Sequence, residues 1–222
     1  MSKFVGFERL LIVLALALPA PALQDATPQS QPASQAASQP VNPLNVLDNF
    51  HAIEPGRAFR SAQLPPHKLE YVVRTHGIQT VINLRGPNPK HDWYNAERDA
   101  CERLGITLID IPLSARRMPS REHAIQMFDA FRSAKGPILL HCASGADRSG
   151  LASAMWRMTM LDEAREDALR QLTFRYGHVA GRHPQMRKFI SIYQPRREWL
   201  EKEYSPLEAP ASAPTEPEDD EP

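Results

Sequence analysis

Apolar and polar positions between residues 44 and 204 fall into short apolar runs that alternate with segments of helical period. Arg57 to Phe59 predicts a short edge strand, and Pro65 to His76 a helix closed by Gly77, a residue free to take the left-handed conformation at a helix end. Thr80 to Leu84 (TVINL) predicts a buried strand. Trp93 to Leu104 has helical period up to Gly105, and the strand Ile106 to Ile111 (ITLIDI) follows. Another helix is predicted from near Ser120 to about Ala134, before Gly136-Pro137; its start, Ser120-Arg121-Glu122-His123, lacks the acid that would complete a capping box. Ile138 to Leu140 is a continuous apolar run, the pattern of a central strand buried on both faces. Arg148 to Met160, Asp162 to Tyr176 and Pro184 to Tyr204 are helical in pattern. The order βαβαβα predicts an α/β sheet with crossover helices. Ligands bind such sheets beyond the carboxyl ends of the strands, which is where His141 to Gly150 fall.

The flanks differ in kind from this domain. Lys3 and Arg9 precede an apolar run from Leu10 to Leu18, and Ala20 and Ala22 offer an A-x-A cleavage site, so residues 1–22 read as an export signal. An uncleaved anchor is the alternative. From Leu10 to Leu23 there are only fourteen residues, interrupted by Pro19 and Pro21, whereas a membrane-spanning helix takes about 20. The mature chain is therefore expected outside the cytoplasm, in a bacterial periplasm, or else held at the inner membrane with its domain outside the cytoplasm. Membrane association is expected only if the segment stays uncleaved. Residues 23–43 are a Gln/Ser/Ala/Pro tract and residues 205–222 a Pro-rich acidic tail, and neither composition offsets its own ordering entropy.

Charge refines the picture of the domain. The whole chain balances 26 bases against 26 acids, but the acidic tail and the neutral amino-terminal segment leave 24 bases and 18 acids in residues 44–204. That surplus suits an anionic ligand and is too thinly spread for a nucleic-acid binder. Two cysteines, Cys101 and Cys142, make no disulfide framework, and without a repeat of fixed period the chain is neither solenoid nor coiled coil.

The candidate chemistry lies in His141-Cys142-Ala143-Ser144-Gly145-Ala146-Asp147-Arg148-Ser149-Gly150. A strand that stops at a cysteine, then a glycine-containing turn and a helix start, aims successive backbone N–H groups and the positive end of a helix dipole into one concavity. An oxyanion would sit there, and the same field would favour a thiolate at Cys142. Arg148 is one loop-length away, so its planar guanidinium can return over the loop and grip two phosphate oxygens. Gly145 permits a positive φ and close backbone approach. Finding His, Gly and Arg at those offsets from a cysteine has a chance, from this composition, on the order of one in ten thousand. Cys101, in a helical pattern and with Thr at position 107, reads as a core cysteine.

At these residues the sequence resembles the cysteine-dependent phosphatases, with signature H-C-x5-R-[S/T], and among them the compact dual-specificity and atypical bacterial branch. The resemblance covers roughly Ala58 to Tyr204. It includes Arg60-Ser61-Ala62-Gln63, Ile82-Asn83-Leu84-Arg85-Gly86 and Ile111-Pro112-Leu113, which support the specific signature. It implies a three-layer α/β fold with a mostly parallel central sheet between helices. It also implies hydrolysis of phosphomonoesters through a phosphocysteine at Cys142, with Arg148 as phosphate clamp and the backbone of Ala143, Ser144, Gly145 and Ala146 as cradle. His141 would orient the loop and tune the thiolate, and the Ser149 hydroxyl would assist departure of the thiolate. The implied substrate is a phosphorylated protein, at tyrosine, serine or threonine; a phosphoinositide or other phosphorylated small molecule is the alternative. A monomer is expected.

The general acid departs from the family pattern. Many relatives carry an aspartate just after the strand matching Ile106–Ile111, but Leu113 to Arg121 (LSARRMPSR) holds no acid. Asp147 resembles the loop aspartate of atypical lipid- and phosphotyrosine-directed members; it reads either as the acid or as a cap on the next helix, with Asp110 as the second choice of acid. Arg85, at a strand end, and Arg116 and Arg117, on the acid-free loop, read as substrate contacts or as solvated surface. His178 and His183 lack a third ligand nearby in sequence and read as surface or structural residues; no metal and no cofactor is expected. Three rivals stand outside this chemistry: a rhodanese-type sulfurtransferase, whose loop lacks the distant arginine, an arsenate reductase, which needs relay cysteines, and a non-catalytic phosphate-binding module, against which Cys142, Arg148 and Ser149 stand together.

Overall fold

In β5 (Ile138–His141) every residue is buried, as a run with no polar alternation requires when both sheet faces are covered. In the computed structural model, which describes residues 42–206, β5 lies at the centre of a five-stranded sheet. Its neighbours are β2 (Ala58–Ser61) and β3 (Thr80–Asn83), both parallel to it; β4 (Thr107–Asp110) extends the sheet beyond β3, and β1 (His51–Glu54) pairs antiparallel with β2 at the other edge. The parallel register sets Ser61 and Asn83 beside His141, and Asp110 beside Asn83.

Side-chain alternation along these strands builds two cores. Ile82, Ile138 and Leu140 face α3 (Arg121–Ser133) and α4 (Asp147–Met160), where they meet Met127, Phe128, Leu151 and Met155. The same core continues to Phe189 of α6 (Pro184–Ile192) and to Trp199 and Leu200 of α7 (Arg197–Lys202). Phe59, Val81 and Leu139 face the other way, onto Leu69, Val72 and Val73 of α1 (Pro66–His76) and Ala100 and Cys101 of α2 (Asp92–Leu104). Truncating a core leucine such as Leu140 to alanine costs about 2–5 kcal/mol. The result is a three-layer α/β fold with a mostly parallel sheet. Gly77 closes α1 at φ 66°, its N–H donating to the Val73 carbonyl. Ser120 caps α3 by accepting the His123 N–H, with no reciprocal acid.

Three expectations are corrected. Of the segment Arg57 to Phe59, Arg57 lies in the turn before β2 and Ala58 and Phe59 belong to β2, an interior strand, while the edge is β1. Asp162 to Tyr176 is not one helix: it divides into α5 (Arg165–Ala168) and the 3-10 turns Leu169–Gln171 and Phe174–Tyr176. Its helical period is overridden because distant arginines take carbonyls at the breaks, Arg187 those of Leu169 and Leu172 and Arg60 that of Gln171. Pro184 to Tyr204 divides into α6 and α7 at Pro195, which has no N–H to continue a helix. The export signal and nearly all of the two low-complexity flanks lie outside the described residues, among which no helix is long and apolar enough to cross a membrane.

Candidate active site

The loop Cys142 to Ala146 joins the end of β5 to the start of α4, beyond the carboxyl ends of the parallel strands. The carbonyls of Ala143, Ser144, Gly145 and Ala146 are taken by the surrounding scaffold. The Gln63 N–H donates to the Ala143 carbonyl (3.0 Å) and Asn49 Nδ2 to that of Ser144 (3.1 Å). Arg60 Nη2 donates to Gly145 (2.6 Å) and Ala146 (3.1 Å). In a planar trans peptide the C=O of one residue and the N–H of the next point in opposite directions. Holding these four carbonyls outward therefore turns the N–H groups of Ser144, Gly145, Ala146 and Asp147 together, toward the side where α4 begins. Gly145 sits at φ 71°, and a Cβ there would lie 2.6 Å from the Ala62 nitrogen, so only glycine fits.

Cys142 is buried at the base of this loop. Arg148, also buried, directs Nη1 toward the Leu113 carbonyl (3.4 Å), so its side chain returns to the loop after β4. Ser149 Oγ donates to the Ser61 carbonyl at 3.4 Å, and Ser153 Oγ donates to the Ser149 carbonyl. His141 places Nε2 3.0 Å from Glu97 Oε1 on α2, off the axis of a hydrogen bond, and both side chains are 2% exposed. Glu97 Oε1 also accepts from Gln63 Nε2.

Two residues of this scaffold, Arg60 and Glu97, have roles that the sequence pattern alone does not assign. Arg60 is fully buried, donates in addition to the Gln171 carbonyl and Oε1, and stacks on the Tyr176 ring at 4.4 Å. Burial pulls its pKa from 12.5 down to about 10, against the attraction of Cys142, Tyr176 and Asp147. The available signal was its alternation: in Ala58-Phe59-Arg60-Ser61 it falls on the face of Ala58, which packs in the core. Glu97 lies with Tyr94, Ala100 and Cys101 on the buried stripe of α2, so an acid at an apolar position was legible there.

The remaining candidates separate. Asp110 Oδ1 accepts from Asn83 Nδ2 (2.8 Å) and Oδ2 from the Tyr94 hydroxyl (2.7 Å), on the sheet face of His141 and opposite that of Cys142. Burial and that carboxylate push the Tyr94 hydroxyl up to about 12. Asp147 is the first residue of α4 and no side chain caps that helix, which removes the cap reading. Its Oδ1 instead lies 2.5 Å from Nδ1 of His178, and Oδ2 3.6 Å from Nε2 of His183. The two histidines set aside in sequence thus bracket the candidate acid, and His178 is buried. Arg85 lies 3.5 Å over the Trp93 ring and donates to Gln63 Oε1, while Arg116 and Arg117 are exposed between β4 and α3. Cys101, in the α1–α2 core, has its thiol pushed up to about 12 by burial and by the charges of Glu97 and Asp110, as befits a packing cysteine.

A family model described as "DSP-PTPase phosphatase fused to NAD+ Kinase" matches residues 37–189, more than half of the chain. The chain belongs to that family. It is a phosphatase of the dual-specificity and tyrosine type, a phosphoric monoester hydrolase. Among solved structures it is similar to TpbA of P. aeruginosa, with 18% identity and a TM-score of 0.56 over 71% of this chain and 91% of that one. It is also similar to the core catalytic domain of the PP-IP phosphatase SIW14 of S. cerevisiae, with 18% identity and a TM-score of 0.53 over 66% of this chain and 85% of that one. PTPMT1 matches with 13% identity and a TM-score of 0.50, over 64% of this chain and 94% of that one. At these identities the likeness is one of fold. No curated protein matches the phosphatase.

Proposed function

We propose that the phosphatase hydrolyses phosphomonoesters of proteins through a phosphocysteine at Cys142. The observation that carries the reading is the loop whose four carbonyls are bound from outside, because it leaves a nest of N–H donors around a cysteine before a reaction begins. The Cys142 sulfur attacks phosphorus; the ester P–O bond breaks, its electron pair stays on the leaving oxygen, and Asp147 gives that oxygen a proton. Water then attacks phosphorus, the S–P bond breaks with its pair returning to sulfur, and the water proton goes to the Asp147 carboxylate. Arg148 and the loop amides hold the equatorial oxygens in both steps, His141 orients the loop, and the Ser149 hydroxyl assists departure of the thiolate.

Protein-borne phosphate is the first substrate because the nucleophile is recessed: Cys142 is 2% exposed, so a phosphate on an extended arm reaches it. Arg116 and Arg117 offer charge for an acidic flank. A structural neighbour, a TpbA variant, is in complex with phosphotyrosine. A phosphorylated small molecule is the second reading, favoured by the likeness to an enzyme whose name specifies PP-IP. We place the enzyme outside the cytoplasm from the apolar amino-terminal segment, with residues 44–204 as the catalytic domain. Phosphate release from tyrosine-, serine- and threonine-phosphorylated peptides and from inositol phosphates separates the two substrate readings. Cys142→Ser is expected to abolish release and still bind vanadate, whereas Arg148→Lys loses both. Residual turnover of Cys142→Ser above about a tenth of wild type refutes covalent catalysis.

A further inference from the structure

We infer that His178 is the positioning residue of the proton donor, fixing the Asp147 carboxyl so that one oxygen is held by the imidazole and the other serves the leaving group. This rests on the reading of Asp147 as the acid. His178 is 2% exposed, its Nδ1 lies 2.5 Å from Asp147 Oδ1, and its Nε2 is buried without a hydrogen-bond partner. A ring with an acceptor beside Nδ1 and none beside Nε2 carries its proton on Nδ1. His178 Nδ1–H therefore donates to Oδ1. His183, at 3.6 Å, is too far to hydrogen-bond Oδ2, and among the described residues no donor reaches that oxygen. One carboxyl oxygen is thus occupied and the other open.

The arrangement answers a geometric need of a donor at this position. Asp147 is the first residue of a helix, where an acid is drawn toward the N–H groups of its own helix start. Such a cap would withdraw the carboxyl from the substrate. The imidazole competes for Oδ1 from outside the helix, from the segment after the turn Phe174–Tyr176, which Asn49 Nδ2 ties to the loop by donating to both the Tyr176 and the Ser144 carbonyls. His178 neither gains nor loses a proton in either chemical step. It keeps the transferable proton on Oδ2 in the first and the open lone pair there in the second.

The test uses the full chain and two substrates, p-nitrophenyl phosphate, whose anion leaves with little protonation, and an alkyl phosphate, whose oxygen needs the proton. General acid catalysis contributes about 10² to 10⁴-fold. His178→Ala is expected to lower kcat/KM for the alkyl ester roughly tenfold to a hundredfold and to leave p-nitrophenyl phosphate and vanadate affinity nearly unchanged. Asn places its amide nitrogen where Nδ1 stood and Gln places its own nearer Nε2, so His178→Asn should restore the alkyl activity and His178→Gln should not. Adding His178→Ala to Asp147→Asn should cost nothing further. Equal losses on both substrates, no loss on either, or equal rescue by Asn and Gln would overturn the role of His178 while Asp147→Asn still shows leaving-group dependence. If Asp147→Asn itself shows none, the acid assignment falls, and this inference with it.

Discussion

Removing Arg60 tests whether the phosphate cradle is built from below. Arg60→Met keeps much of the volume and takes away every guanidinium donor to Gly145, Ala146 and Gln171. Three buried carbonyls then lose a charged partner, at about 1–3 kcal/mol each. Against this stands the release of a cation that burial has already weakened: a fall from 12.5 to about 10 corresponds to about 3 kcal/mol at 1.36 kcal/mol per pKa unit. The net destabilisation comes to about 3 kcal/mol, which for a domain of this size lowers Tm by about 6–12 °C. Activity should fall further than stability. With the Gly145 carbonyl released, while the Ala146 carbonyl keeps the Gly150 N–H of α4, the N–H of Ala146 is no longer aimed, and one lost oxyanion donor costs about 10²–10³ in rate. The assay is kcat/KM on p-nitrophenyl phosphate with vanadate affinity, both measured well below the new melting point. Wild-type kcat/KM within about threefold would refute the claim that Arg60 aims the loop. Arg60→Lys, with one point donor in place of a planar fork, should fall between the two.

Gly145→Ala places a Cβ against Ala62 and Ser61 at a positive φ, and vanadate affinity by calorimetry should fall at least about tenfold with a smaller change in melting temperature. Burial holds the imidazoles of His51 and His76 below their ordinary 6.5, with Arg60 and Arg175 adding to the effect at His51. The unfolded chain therefore binds their protons first, so stability is full above about pH 6.5 and is lost as pH falls through the lower folded values; denaturant melts of His51→Gln and His76→Gln should show a flatter acid limb. A fragment of residues 44–204 should keep wild-type turnover on a small aryl phosphate, since neither adjoining tract, 23–43 or 205–222, has apolar periodicity; an inactive or molten fragment would show the boundary to be misplaced.

The parts of this fold legible in sequence are those whose causes are local. Thr80 to Leu84 and Ile138 to Leu140 are apolar runs of strand length, and Gly77 and Gly105 end helices at positive φ. The Cys142 loop was legible because its ligand-facing groups lie within a few residues of one another. What was hidden is non-local. Arg60 acts on carbonyls 85, 86 and 111 residues further along the chain, and that capture also breaks the helical period of Asp162 to Tyr176. His178 shows no third metal ligand nearby in sequence, and its actual partner is an aspartate 31 residues away, a pairing that no local pattern marks. Glu97 is an acid on the apolar stripe of a helix, where it needs a buried partner, and that partner, His141, lies on a distant strand.

The missing acid on the loop Leu113 to Arg121 and the presence of Asp147 on α4 are two sides of one arrangement. A donor on a separate loop must be brought to the leaving group when that loop closes, and its placement is then as variable as the loop. Here the proposed donor lies five residues from the nucleophile, on the same strand–loop–helix unit, with its carboxyl held by a buried ring. The loop that carries the proposed nucleophile, together with the proposed acid, is thus positioned by one set of scaffold contacts, from Asn49, Arg60, Gln63 and His178. The freed loop presents Arg116 and Arg117 in place of an acid, so on this reading its sequence governs which phosphate-bearing surface is admitted. Exchanging those arginines should therefore change KM among phosphopeptides while leaving the leaving-group dependence of kcat/KM on small esters as it was, because the proposed proton donor is a residue the loop does not carry.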